Sequence, residues 1–119
     1  MKDKKMIKNK KISQLNFVEQ LSQIQLKDLD HSLLIYDQKL KNKYSAFINK
    51  FPYQYSVRSG EELKNIDSFP NHIKKISKLT EKIPNKKMIF ISFGGGSVGD
   101  FVGFIASVYK RGVRLVHIP

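Results

Sequence analysis

The chain has neither cysteine nor tryptophan among its 119 residues. The first absence excludes disulfides and thiolate metal sites. No apolar run approaches the roughly 18–20 residues that a bilayer crossing needs. The lysines at the start are not followed by the apolar segment of a secretory signal, so a cytoplasmic address is expected and no membrane partner. Acidic residues are also few, 10 Asp+Glu against 22 Lys+Arg, which leaves a net charge of +12. Within the basic set arginine is the scarce member, confined to Arg58, Arg111 and Arg114. Base-edge and bidentate phosphate recognition usually recruit arginine. The lysines are moreover spread over several predicted helices. The charge is therefore read as a solvated lysine-rich surface, with a basic nucleic-acid-binding module as the alternative from another class.

What is present suffices for one domain with a real core, since 40% of the residues are hydrophobic. Residues 1–12 are basic and polar and read as a tail or an edge strand. Residues 13–119 carry the α/β pattern. Leu15, Val18, Leu21 and Ile24 recur at a spacing of three, an amphipathic helix with Ser13 as N-cap. Leu26–His31 is acidic and turn-like. Ser32–Tyr36 is an apolar strand ending at Asp37. Leu40, Tyr44, Phe47 and Phe51 then repeat at helical spacing until Pro52 stops them. Tyr53–Val57 alternates as a strand should.

A polar connector, Arg58–Glu62, leads to a helix capped by Asp67 or Ser68, with Pro70 in its first turn. Its buried face is Phe69, Ile73, Ile76, Leu79 and Ile83, and Pro84-Asn85 ends it. Met88–Phe93 is the continuous apolar run of a strand covered on both faces. A glycine turn and helix follow, closed by Arg111-Gly112, and Val113–Ile118 is a fourth strand. Strands alternating with helices predict a Rossmann-like open, mainly parallel sheet with flanking helices and right-handed crossovers.

Glycine is rare until Phe93, and then six of the seven fall between Gly94 and Gly112. Gly94-Gly95-Gly96-Ser97-Val98-Gly99-Asp100 follows a buried strand and opens a helix. That places unpaired N–H groups and a partial positive charge where a pyrophosphate can sit. The alternative is a tight turn with no ligand. No Lys-Ser/Thr follows the last glycine, so this is not a Walker A motif. It follows the third strand, so it is not the first-strand Rossmann fingerprint either. Gly99, Gly103 and Ala106 leave one side of the helix nearly bare. Asp100 is either a complement to the helix dipole or an acceptor for a sugar hydroxyl. Asp37, at a strand's carboxyl end, is either an N-cap or an acceptor for ribose hydroxyls. His31, His72 and His117 stand apart, so no metal site and no acid–base pair is expected. His72 reads as solvated and His117 as structural.

Phe93–Pro119, with its Gly-Gly-Gly-x-x-Gly-Asp turn, Gly103-Phe104-x-Ala106 helix and Arg111-Gly112, resembles the central motif of 3-dehydroquinate synthases. Ser59-Gly60-Glu61-Glu62-Leu63-Lys64 matches that family's Asp-Gly-Glu-x-x-Lys segment, with Ser59 in place of the aspartate. The resemblance covers roughly Ser32–Pro119 and stops just before an expected Thr-Thr pair. It implies the NAD-binding N-terminal domain of a two-domain enzyme. Such an enzyme is a lyase of the shikimate pathway, in aromatic amino acid biosynthesis. It converts a phosphorylated seven-carbon sugar acid to 3-dehydroquinate with release of phosphate.

In that family a divalent metal, zinc or cobalt, is held by one Glu and two His of a helical C-terminal domain. The segment is accordingly expected to lack catalytic and metal residues and to be inactive alone. The resemblance further implies a dinucleotide site. Gly94, Gly95, Gly96, Ser97, Val98, Gly99 and Asp100 would meet the phosphates and ribose. Ser59, Gly60, Glu61 and Lys64 would face the adenosine side, and Asp37 its ribose hydroxyls. Lys39 departs from the small polar residue usual two places after that aspartate. Ser97 also resembles the Gly-Gly-Gly-Ser loop of iron-type alcohol and glycerol dehydrogenases, the alternative within enzymes. NAD against NADP stays open, and so does a homodimer through the surface the other domain would cover.

Overall fold

A computed structural model describes residues 26–84, 87–109 and 113–118. The predicted tail, the helix from Ser13 and the Arg111-Gly112 helix end lie outside the described residues. Four parallel strands form one sheet: β1 (Ser32–Asp37), β2 (Tyr53–Val57), β3 (Ile89–Phe93) and β4 (Arg114–Ile118). Their spatial order is β2-β1-β3-β4. β1 and β3 pair in register from Ser32 against Ile89 to Tyr36 against Phe93. This is the α/β, Rossmann-like arrangement that the alternation of elements predicts.

The two central strands carry the apolar runs Leu33–Tyr36 and Met88–Ile91, and the sheet shows why. Every residue of β1 and of β3 is buried. A strand covered on both faces has no solvent side on which polar residues could alternate. The edge strands β2 and β4 are mostly half-buried or exposed.

The helices are α1 (Leu26–Leu29), α2 (Ser45–Ile48), α3 (Phe69–Leu79) and α4 (Gly96–Tyr109). α3 and α4 cover one face of the sheet, where Leu33, Ile35, Phe90, Ile76, Val98, Phe101, Val102 and Ile105 form a single core. The other face packs Leu34, Tyr36, Ile91 and Phe93 under Leu29, Tyr44, Phe47, Ile48 and Phe51. There Tyr44 and Phe47 both meet the Phe93 ring edge-on, at 5.2 and 5.3 Å. α3 and α4 are joined at their C-terminal ends by Thr80, whose Oγ1 bonds the Ile76 carbonyl and the Tyr109 hydroxyl. The connection from β1 runs outward to β2, and the one from β3 runs outward to β4. Crossovers of one hand that leave in opposite directions must place their helices on opposite faces.

Four local expectations differ. Leu26–Leu29, expected only as turn-like, is one turn of α-helix, and the following Ser32 Oγ donates to the Asp28 carbonyl at 2.6 Å. Leu40–Phe51 is not one helix but a 3-10 turn (Gln38–Leu40) and then the four-residue α2. Ser68 precedes α3 but makes no side-chain cap. Its Oγ donates to the Asn65 carbonyl instead, closing the 3-10 turn Ile66–Ser68. Within the predicted α3 face only Ile76 is fully buried. Leu79 is 37% exposed, and Ile83 is buried but lies past the helix end.

Candidate functional site

The strand order places a topological switch point between β1 and β3. The connections leave these neighbours in opposite directions, which opens a crevice at their carboxyl ends, where ligands of open α/β sheets bind. β1 ends there in Asp37 and β3 runs there into Gly94. The two touch: a Cβ built on Gly94 would lie 3.3 Å from the Asp37 Cβ and 3.2 Å from the Val98 Cβ. Gly94 also has φ +152°, a conformation that side chains rarely adopt. Its N–H donates to the Ile118 carbonyl at 3.1 Å, which ties the turn to β4.

Gly95 is the N-cap of α4, for its carbonyl accepts the first helical bond from the Gly99 N–H at 3.1 Å. The N–H groups of Gly95, Gly96, Ser97 and Val98 therefore have no carbonyl within the helix. A glycine cap has no side-chain oxygen to satisfy them, as Ser, Asp or Asn would. Gly95 and Gly96 are exposed, and a Cβ on either would meet nothing within 4 Å. Among the described residues, Gly95 and Gly96 thus leave the N-terminus of α4 open to solvent with no side-chain cap.

Asp37 is 9% exposed. Its Oδ1 accepts from the Lys39 N–H at 3.1 Å, capping the 3-10 turn. Its other oxygen has no hydrogen-bond partner among the described residues. The cap is therefore observed, and it leaves the second carboxylate oxygen unengaged among the described residues.

Lys64, Ser97 and Asp100 come together from distant parts of the chain. They line one cleft of about 290 Å³ with Leu63, Phe69, Phe101 and Phe104. Phe69 stacks on Phe104 at 4.6 Å to form its apolar wall. Gly60 has φ +123° and its carbonyl accepts from the Leu63 N–H. It thereby starts the 3-10 turn Glu61–Lys64 that carries Lys64 to the cleft. Ser59 precedes that turn, and among the described residues it makes no side-chain hydrogen bond to the glycine turn.

The predicted set is not equally available. Val98 is fully buried, main chain included, so it offers a ligand no exposed surface. Gly99 faces β4 and Gly103 faces open space, so the bare stripe is not one surface.

Sequence reasoning missed a second, larger cleft of about 810 Å³ beside edge strand β2. It is lined by Gln38, Gln54, Tyr55, Arg58, His72 and Lys75, among others. His72 is half-buried there rather than solvated. Its Nδ1 meets the Tyr55 hydroxyl at 2.6 Å and its ring meets Phe101 edge-on at 4.9 Å. Burial, and then the Lys75 charge, hold its pKa below the ordinary 6.5, and burial raises that of Tyr55. The unfolded chain therefore binds a proton more readily than the folded one. The stability from neutral His72 is complete above the ordinary value and is lost as pH falls through it toward the lower folded value. Thermal unfolding between about pH 8 and about pH 5 should show a falling midpoint, and His72→Gln should fall less steeply. Equal slopes would contradict this.

Among the described residues no three His, Asp or Glu side chains gather as metal ligands. No described helix is long and apolar enough to cross a membrane.

A doubly wound parallel domain with a glycine turn at its switch point is the class that fold and geometry define. The comparisons with known proteins narrow it. The family model described as 3-dehydroquinate synthase N-terminal matches residues 54–119. The chain is 36% identical over 92 residues to a 3-dehydroquinate synthase of Shouchella clausii, covering 73% of this chain and 25% of the relative. It is 42% identical over 71 residues to that of Alkaliphilus oremlandii, covering 60% and 18%. It is 35% identical over 99 residues to that of Clostridium tetani, covering 79% and 26%. The chain belongs to the 3-dehydroquinate synthase family. It spans about a quarter of the length of the curated relatives it matches.

Proposed function

We propose that this segment is the dinucleotide-binding part of a 3-dehydroquinate synthase-type enzyme and that it holds NAD across the crevice between β1 and β3. One observation carries the reading. A buried carboxylate, Asp37, with one oxygen unpartnered among the described residues, stands beside a turn whose Gly95 and Gly96 are exposed at a helix N-terminus. An acceptor for ribose hydroxyls beside donors for a pyrophosphate matches the two polar parts of a dinucleotide.

The residues fit the cofactor in this way. The N–H groups of Gly95, Gly96 and Ser97 take the pyrophosphate oxygens, with the α4 dipole aligned. Asp37 takes ribose hydroxyls. Gly60, Glu61 and Lys64 line the adenosine side, with Lys64 adding a positive charge to the cleft it shares with Asp100. Phe69 and Phe104 limit water at that cleft. Bound there, NAD supplies transient hydride acceptance and return, so it is regenerated in each turnover.

The whole enzyme, in this reading, converts a phosphorylated seven-carbon sugar acid to 3-dehydroquinate with loss of phosphate. It is a cytoplasmic step toward aromatic amino acids. The divalent metal, zinc or cobalt, and the acid–base groups belong to polypeptide outside these residues. The segment alone binds but does not turn over.

The test is a pair of measurements on the full 119-residue chain. NAD at about 100 times its dissociation constant should stabilise the fold by about 2.7 kcal/mol, seen as a raised melting temperature. Assays for phosphate release from the sugar acid should show none. No thermal shift, with salt-sensitive DNA binding instead, would favour the nucleic-acid alternative.

A further inference from the structure

The glycine turn can hold an anion only if its donors are kept at a fixed height above the strand ends. Three contacts set that height. The Gly94 N–H is bonded to the Ile118 carbonyl, and Val98 is sunk in the core. The third contact is Gly99 resting on a ring from β4. A Cβ on Gly99 would lie 2.7 Å from His117 Cε1 and 3.1 Å from its Nδ1. Those distances leave no room for a methyl group, so the backbone of the first turn of α4 sits directly against the imidazole.

The ring is itself held in place. His117 is the register partner of Ser92 across β3 and β4, and its Nδ1 is hydrogen-bonded to the Ser92 Oγ. Ser92 is 1% exposed, in the middle of a strand that is otherwise apolar. A hydroxyl in such a place needs a partner, and among the described residues His117 is the one it has. The contacts run from Ser92 to His117 to Gly99 and so to the turn.

We propose that His117, fixed by Ser92, is a positioning residue for the dinucleotide turn. It touches no ligand and acts through Gly99, setting the height and tilt of the first turn of α4. The inference rests on the dinucleotide reading above. It also gives the glycine at position 99 a reason distinct from those at 95 and 96. Those face the ligand, and Gly99 faces the support.

The experiment measures NAD dissociation constants for the full chain, with thermal unfolding recorded for each variant. His117→Ala should weaken binding about tenfold, since the turn loses its seat and Ser92 its partner. His117→Gln, which keeps a planar group and an acceptor, should recover binding to within about threefold. Gly99→Ala should weaken binding about tenfold alone and add almost nothing to His117→Ala, because the clash needs the ring. An unchanged dissociation constant in His117→Ala, or additive losses in the double variant, would overturn the inference. If His117→Ala does not fold, Ser92→Ala decides. It keeps the ring but frees its orientation, and unchanged binding there overturns the inference equally. Failure of the unaltered chain to bind NAD is a different result, for it removes the dinucleotide reading itself and this inference with it.

Discussion

Gly94→Ala should destabilise the chain by about 2–6 kcal/mol. Two costs combine. The backbone at φ +152° is one that an alanine rarely adopts, a strain of order 1–3 kcal/mol. The added methyl also lies 3.2 Å from the Val98 Cβ and 3.3 Å from the Asp37 Cβ. Both neighbours are buried, so neither can yield without moving a strand end or the helix start, and overpacking of that kind costs roughly 1–3 kcal/mol. Against the ~5–15 kcal/mol by which most domains are stable, a loss of this size is severe. Urea unfolding of the two proteins is the measurement. A difference under about 1 kcal/mol would mean that the turn is not seated as described.

Gly96→Val should do the opposite: leave stability nearly intact and abolish dinucleotide binding. A Cβ at this position meets nothing within 4 Å, and the residue opens α4 on its exposed side. Stability should change by no more than about 0.5–1 kcal/mol, since a helical glycine is itself unfavourable by about that amount. The branched side chain would stand in front of the N–H groups of the turn, in the space proposed for the pyrophosphate. NAD affinity should fall at least tenfold, about 1.4 kcal/mol. Calorimetric titration paired with thermal unfolding reads both quantities. Retained affinity would place the ligand elsewhere, and lost stability would mean that this glycine, too, is structural. Two glycines two positions apart thus separate the architecture of the turn from its binding surface.

The fold was legible where the physics is local. β1 and β3 read as continuous apolar runs because both faces of each are covered, and β2 read as alternating because it lies at an edge. Asp37 was legible as a strand-end carboxylate and as an N-cap, the role its Oδ1 has. The helix expected over Leu40–Phe51 failed for a specific reason. Leu40, Tyr44 and Phe47 all pack toward the same face of the sheet, so they keep a helical spacing although a 3-10 turn and a one-turn helix share the work.

His72 was misread because its partner is Tyr55, 17 residues earlier and on the neighbouring strand, a pairing with no local signature. The glycine stripe on α4 was legible as a feature but not as a cause. Only the β3–β4 register reveals that the Gly99 position is filled by His117. The position of the glycine turn after the third strand argued against the usual first-strand fingerprint. The strand order β2-β1-β3-β4 explains it, because that order makes the third strand, with the first, the wall of the switch point.

The crevice between β1 and β3 is the proposed seat of the dinucleotide. The most direct test follows backbone amide resonances of the full chain through a titration with NAD. The largest shifts should fall at Gly94–Asp100, at Asp37–Lys39 and at Lys64, with Tyr55 and His72 in the second cleft nearly still. Shifts confined to the Tyr55–His72 cleft, or none at saturating NAD, would contradict it.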